Sequence, residues 1–162
     1  MHEKSATFTY QLYSDTTELG PAFESLIEKA FEARENAYAP YSEFKVGASV
    51  LMDDGTIVVG SNQENAAYPS GLCAERVALF AAKSAYPKRS IQAIAIVTNT
   101  GKTQNEAPSP CGSCRQVMLE YEAIQENDIT VLLAGSEEHI VRIHKVADLL
   151  PFGFTPKDLK KP

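Results

Sequence analysis

The sequence predicts an α/β domain built on one central sheet with helices on both faces. Two observations carry this expectation. Strand-like and helix-like patterns alternate along the chain, which implies a single sheet covered on each side. Residues 91–98, IQAIAIVT, form a nearly continuous apolar run, as expected of a central strand buried on both faces. The length, 162 residues, is about one ordinary domain, and no linker or repeat divides it.

Residues 7–13, TFTYQLY, alternate apolar and polar and predict a short edge strand. A helix is predicted over 15–36, with Phe23, Leu26, Ile27, Ala30, Phe31 and Arg34 at helical spacing and Pro21 suited to a first turn. Pro40 ends that pattern. Residues 44–51 alternate as a strand, Asp53-Asp54-Gly55 is a turn signal, and 56–60 return as a second strand. A helix over 72–85, the strand 91–98, a polar loop over 100–109 and a helix over 111–122 follow. Strands are predicted at 129–134 and 140–146, with a short helix at 147–150 that Pro151 ends.

Composition excludes several function classes. The net charge is −6, and the basic residues are scattered except for Lys157, Lys160 and Lys161 in the tail. A protein that grips a nucleic-acid backbone usually carries a basic stripe, so a small ligand is expected rather than a polynucleotide. No run approaches the roughly 20 apolar residues of a membrane span. The start, MHEKSATFTY, lacks a signal-peptide pattern, so a cytoplasmic location is expected. His2, His139 and His144 have no ligand spacing and are assigned surface or structural roles.

The three cysteines, Cys73, Cys111 and Cys114, carry the chemistry. An odd count argues against a disulfide framework. Cys73 and Cys111 both stand where a helix is predicted to start, and Cys114 shares a face with Cys111 three positions on. First-turn amides and the helix dipole favour thiolates there. Three thiolates make three corners of a tetrahedron, a geometry and softness that suit zinc. Three protein ligands with one open position is the pattern of a catalytic zinc site. Glu75, beside Cys73 at the helix start, is placed to stand by a zinc-bound water without binding the metal.

Three thiolates outweigh a dication, which opposes activation of that water. A guanidinium bonded to a ligand sulfur would withdraw charge. Arg76 is the first candidate and Arg115 the second. Taken alone, Cys-x-x-Cys also fits a redox pair, Cys73 a small buried apolar residue, and Glu75 a solvated helix residue. A redox pair needs neither a third cysteine nor an adjacent glutamate.

The segments Cys-Ala-Glu-Arg (73–76) and Pro-Cys-Gly-Ser-Cys-Arg-Gln (110–116) resemble the zinc-dependent cytidine deaminases. The stretches AYAPYSEFKVGASV (37–50), SNQENAAY (61–68) and LLPFGFTPKDL (149–159) agree in order, so the resemblance covers roughly 22–160. It implies a single domain over 1–162, a three-layer α/β/α sandwich with a five-stranded mixed sheet. It also implies one zinc ion per chain and a homotetramer. The implied reaction, in pyrimidine salvage, is hydrolytic deamination of cytidine and 2′-deoxycytidine, zinc-activated water attacking C4 and Glu75 shuttling protons. Carried over by position, Cys73, Cys111 and Cys114 bind zinc. Asn62 and Glu64 hold a ribose hydroxyl, Phe44 lies beside the nucleoside, and Ala74 is a substrate-binding position. Phe154 is contributed across a subunit interface.

These roles suit the residues. Asn62 and Glu64 alternate along an extended segment, so both side chains can face one sugar. For Asn62 alone, turn chemistry is the competing reading, and for Phe44 a place in the core. The alternative function is deamination of a modified cytosine nucleoside such as blasticidin S. Two features depart from the family pattern: about 20 extra N-terminal residues of unknown role, and a long 100–109 loop able to alter access to the pocket.

Overall fold

A computed structural model describes residues 1–98, 109–136 and 138–159. Six strands form one mixed sheet: β1 (Tyr10–Tyr13), β2 (Val46–Met52), β3 (Ile57–Ser61), β4 (Ile91–Thr98), β5 (Thr130–Ser136) and β6 (His139–Ile143). The helices are α1 (Pro21–Glu35), α2 (Ala74–Ala85), α3 (Gly112–Gln125) and the single turn α4 (Pro156–Leu159). The strand order is β1-β6-β5-β4-β2-β3. Among these described strands, β4 and β5 pair in parallel and the other neighbours pair antiparallel.

The two-residue period of the strands sorts the core into two layers. Ala48, Val50 and Met52 of β2, with Ile94 and Ile96 of β4, face α2 and α3. Leu51, Ala93, Ala95 and Val97 face α1, where they meet Leu26, Ile27 and Ala30. The one polar group in this part of β2, Ser49, is satisfied by donating to the Leu26 carbonyl at 2.5 Å. The three-layer arrangement therefore follows from which face each strand residue presents.

The sheet has six strands rather than the expected five. The additional strand is β1, which pairs antiparallel with β6 from Tyr10 opposite Ile143 to Tyr13 opposite Ile140. It is the edge strand that the alternation in 7–13 predicts. Tyr13 packs on the α1 layer, whereas Tyr10 and Leu12 stay exposed. The N-terminal extension thus completes backbone hydrogen bonds that β6 would otherwise leave open.

The long helix expected over 15–36 divides at Gly20, whose φ of 84° no helix accommodates. Before it stands a 3-10 turn, Thr16–Leu19, capped by Asp15, which accepts from Thr17 N at 2.8 Å. After it, Pro21 opens α1 at the position where its missing N–H costs nothing. Arg34 lies over the Phe31 ring at 5.1 Å and donates to the Thr98 carbonyl. The segment 147–150 is a 3-10 turn, Val146–Leu149, rather than an α-helix.

β3, β4 and β5 all run the same way, so α2 and α3 both begin beyond the strand ends on one side of the sheet. That shared edge is where open α/β sheets place their ligands. Gly60 on β3 allows the close approach of α2. A Cβ there would stand 2.5 Å from Ala78 N and 2.9 Å from Ala74 O.

Candidate active site and metal centre

Cys73 and Cys111 are the N-cap residues of α2 and α3, both with extended backbone, and Cys114 lies in the first turn of α3. The cap assignment is fixed by the first helical bonds, Val77 N to Cys73 O at 3.1 Å and Arg115 N to Cys111 O at 3.0 Å. Neither cap side chain bonds the first-turn N–H groups of its own helix, so both sulfurs are free to project beyond the helix ends. They converge with the third. Cys73 Sγ and Cys111 Sγ are 3.9 Å apart, Cys111 Sγ and Cys114 Sγ 3.4 Å, and all three lie within 4.8 Å of one another. No histidine joins this cluster among the described residues.

The electrostatics are uneven. The hydrogen bond from Cys114 and the guanidinium of Arg76 pull the Cys73 thiol down to about 5. The same bond to Cys73, together with burial, pushes the Cys114 thiol up. The pair thus shares a proton, which a cation would displace. Soft donors in a convergent set of three, with a negative charge already held on Cys73, fit a zinc ion.

Arg76 Nη2 donates to Cys73 Sγ at 3.7 Å. Arg115 does otherwise than expected. Its Nε donates to the Pro110 carbonyl at 2.8 Å and its Nη1 to the Leu149 carbonyl at 3.0 Å. It ties the approach to α3 to the C-terminal segment, with Nε and Nη1 both engaged by backbone carbonyls.

Glu75 is 5% exposed, and burial raises its carboxyl above the ordinary glutamate range. The negative Cys73 beside it adds to the rise, while Cys114 lies within hydrogen-bonding reach. Glu75 is also at the wall of a cleft of about 860 Å³ that Cys73, Cys111 and Arg76 share. Phe44, Asn62 and Glu64 line the same cleft. Ala74 is fully buried in the first turn of α2 and is not among the lining side chains. Phe154 is also outside this cleft. It is 56% exposed, and its backbone is bracketed by Gln116, which donates to its carbonyl at 2.6 Å and accepts from its N–H at 3.3 Å.

Asn62 and Glu64 organise the cleft wall. Asn62 Oδ1 accepts from Val46 N at 2.8 Å and Nδ2 donates to the Phe44 carbonyl at 2.9 Å. Glu64 Oε2 accepts from Tyr41 N at 2.9 Å and Ser42 N at 3.3 Å, and Oε1 accepts from the Ser42 hydroxyl. Those bonds hold the Glu64 carboxyl below its usual range, the Ser42 hydroxyl first among them.

Tyr41, Ser42, Tyr68 and Thr98 are among the cleft residues that sequence reasoning missed. Tyr41 and Tyr68 meet edge to face at 6.0 Å. Ser42 links Glu64 to the Phe44 segment, and its place two residues before Phe44 is the spacing of a serine turn. Thr98 closes the inner end of β4, 1% exposed, with a hydroxyl that has no partner among the described residues. Of the 100–109 loop only Ser109 is described, and it lines the cleft.

The comparisons agree with this geometry. Residues 22–127 match the family model described as the cytidine and deoxycytidylate deaminase zinc-binding region. A cytidine deaminase of Halalkalibacterium halodurans is 46% identical over 136 residues, 84% of this chain and 96% of that protein. The crystal structure of a cytidine deaminase from Burkholderia pseudomallei superimposes with a TM-score of 0.68 at 44% identity. It covers 80% of this chain and 97% of its own. The Mycobacterium tuberculosis cytidine deaminase structure gives 0.63 at 34% identity, covering 82% of this chain and 96% of that one.

Proposed function

The chain belongs to the zinc-binding cytidine and deoxycytidylate deaminases, and from that premise we propose that it hydrolyses cytidine and 2′-deoxycytidine to the uridines and ammonia. The observation that carries this is the convergence of three cysteine sulfurs beside a buried glutamate on one cleft. Cys73, Cys111 and Cys114 hold one zinc ion, which supplies the Lewis acidity that makes water a nucleophile near neutral pH. Arg76 draws charge from Cys73 Sγ and offsets the excess of three thiolates. Glu75 takes a proton from the attacking water and delivers it to ring N3. It then takes the proton of the hydroxyl now on C4 and passes it to the amino group, which leaves as ammonia as the C4 carbonyl forms. Its raised affinity for a proton suits that shuttle.

Asn62 and Glu64 receive a sugar hydroxyl, and Phe44 stands beside the nucleoside. Asn62 keeps one donor and one acceptor site after its two backbone bonds. Ala74 contributes through its place at the opening of α2. Phe154, exposed on this chain and held in place by Gln116, completes the site of a neighbouring subunit in a homotetramer. The chain acts as a single deaminase domain over 1–162 in the cytoplasm, with 1–20 as an extension. No described helix is long and apolar enough to cross a membrane.

A substrate panel tests this reading. Cytidine and 2′-deoxycytidine are expected to turn over, and blasticidin S is not. A preference for blasticidin S would replace the nucleoside assignment while leaving the metal site in place.

A further inference from the structure

We propose that Ser42 is the positioning residue that makes Glu64 and Phe44 one sugar-reading unit, so that the chain senses the nucleoside's sugar hydroxyls through this serine. The inference rests on the reading of Glu64 as a sugar contact. Ser42 Oγ acts in two directions at once. It donates to Glu64 Oε1 and accepts from Phe44 N at 3.1 Å. Between them Glu43 holds a φ of 57°, a left-handed conformation that a non-glycine residue adopts only against a steric cost. The Ser42 acceptor is what closes that turn.

The remaining bonds make the segment a strap over Asn62 and Glu64. Tyr38 N donates to the Asn62 carbonyl at 3.0 Å and Glu64 N to the Tyr38 carbonyl at 2.8 Å. The Phe44 carbonyl accepts from Asn62 Nδ2. Phe44 is therefore held by its N–H through Ser42 and by its carbonyl through Asn62. The Glu64 side chain is half-buried at the cleft wall, and without partners its carboxylate would sample several rotamers. Three donors from residues 41 and 42 select one. Of these three, only the Ser42 hydroxyl reaches Oε1 and only it can be deleted without touching the backbone.

A hydroxyl that fixes one carboxylate orientation before substrate arrives lowers the ordering cost of binding. It acts on recognition of the sugar and not on the chemistry at C4. Loss of Ser42 Oγ is thus expected in KM rather than kcat, and only for substrates that present the hydroxyls Glu64 reads.

The test compares wild type, Ser42→Ala, Ser42→Thr and Glu64→Gln on cytidine and on 2′,3′-dideoxycytidine, with zinc content measured for each. Ser42→Ala is expected to raise KM for cytidine about tenfold with kcat within about twofold, and to leave KM for the dideoxynucleoside nearly unchanged. Ser42→Thr, which keeps the hydroxyl, is expected to restore most of the loss. Glu64→Gln is expected to show the same substrate-dependent pattern. An equal effect of Ser42→Ala on both nucleosides, or a loss confined to kcat, would overturn the inference while Glu64→Gln still discriminates. Failure of Glu64→Gln to discriminate would remove the sugar reading itself, and this inference with it.

Discussion

Arg76 and Cys73 stand one helical turn apart at the start of α2, and the guanidinium reaches the sulfur at 3.7 Å. This pairing links a helix-start sequence to the acidity of a metal site. A thiolate that shares its charge with a guanidinium is a weaker electron donor, so the metal it holds stays more electrophilic. Arg76→Gln is expected to lower kcat by about 10–100-fold. Steady-state kinetics on metal-quantified protein check this, and unchanged kcat would detach Arg76 from the chemistry.

Glu75→Gln separates the proton shuttle from the fold. The amide keeps the shape but cannot accept and return a proton, so turnover is expected to fall by about a thousandfold or more. Zinc content should be unchanged. Burial raises the Glu75 carboxyl, so in metal-free protein its cost to stability is absent below the unfolded pKa. The cost grows as pH rises through the raised folded value. Replacement by the neutral amide should therefore flatten that part of the metal-free stability profile, as thermal melts across pH would show.

Zinc loading should expel protons. Cys114 is pushed up by its bond to Cys73 and by burial, so it enters the metal-free state as a thiol and must ionise to ligate. Calorimetric titration of metal-free protein in buffers of different ionisation enthalpy should report at least about one proton released per zinc at neutral pH. Affinity should fall as pH is lowered. Binding without proton release would contradict the shared-proton picture of Cys73 and Cys114.

Gly60→Ala tests how the sheet places the metal. The added Cβ meets backbone atoms of Ala74 and Ala78, which cannot turn aside as a flexible side chain would. A destabilisation of about 1–3 kcal/mol is expected. Because the displaced turn follows Cys73 directly, zinc retention should fall as well, read by metal analysis after dialysis against a weak chelator.

Removal of residues 1–14 tests the extension. β1 contributes one ladder on β6 and the partly buried Tyr13. The loss should lower stability by about 1–3 kcal/mol, on the scale of one partly buried side chain and its ladder. It should leave zinc content and kcat intact, since none of these residues lines the cleft. Loss of kcat in folded, zinc-loaded protein would assign the extension a role in the site.

What was legible in the sequence had local causes. Cysteines at helix starts announce themselves through spacing, and Cys73, Cys111 and Cys114 converge as their positions suggest. The edge strand β1 follows from simple alternation. What was not legible depended on partners far along the chain. Arg115 reads like a companion to Cys114, but the Leu149 carbonyl, 34 residues on, claims one of its arms. Ser42 reads as a loop residue until Glu64, 22 residues away, is folded onto it. Gly20 divides the first helix because of one dihedral angle, which periodicity does not register. The turn α4 is too short to carry a period at all.

The most direct measurement is ammonia release from cytidine by protein whose zinc has been quantified in the same sample, before and after complete metal removal and readdition. The account predicts about one zinc per chain, conversion of cytidine to uridine with equimolar ammonia, loss of turnover on metal removal and its return with zinc. Full zinc occupancy without conversion of cytidine, or turnover that persists in fully metal-free protein, would contradict it.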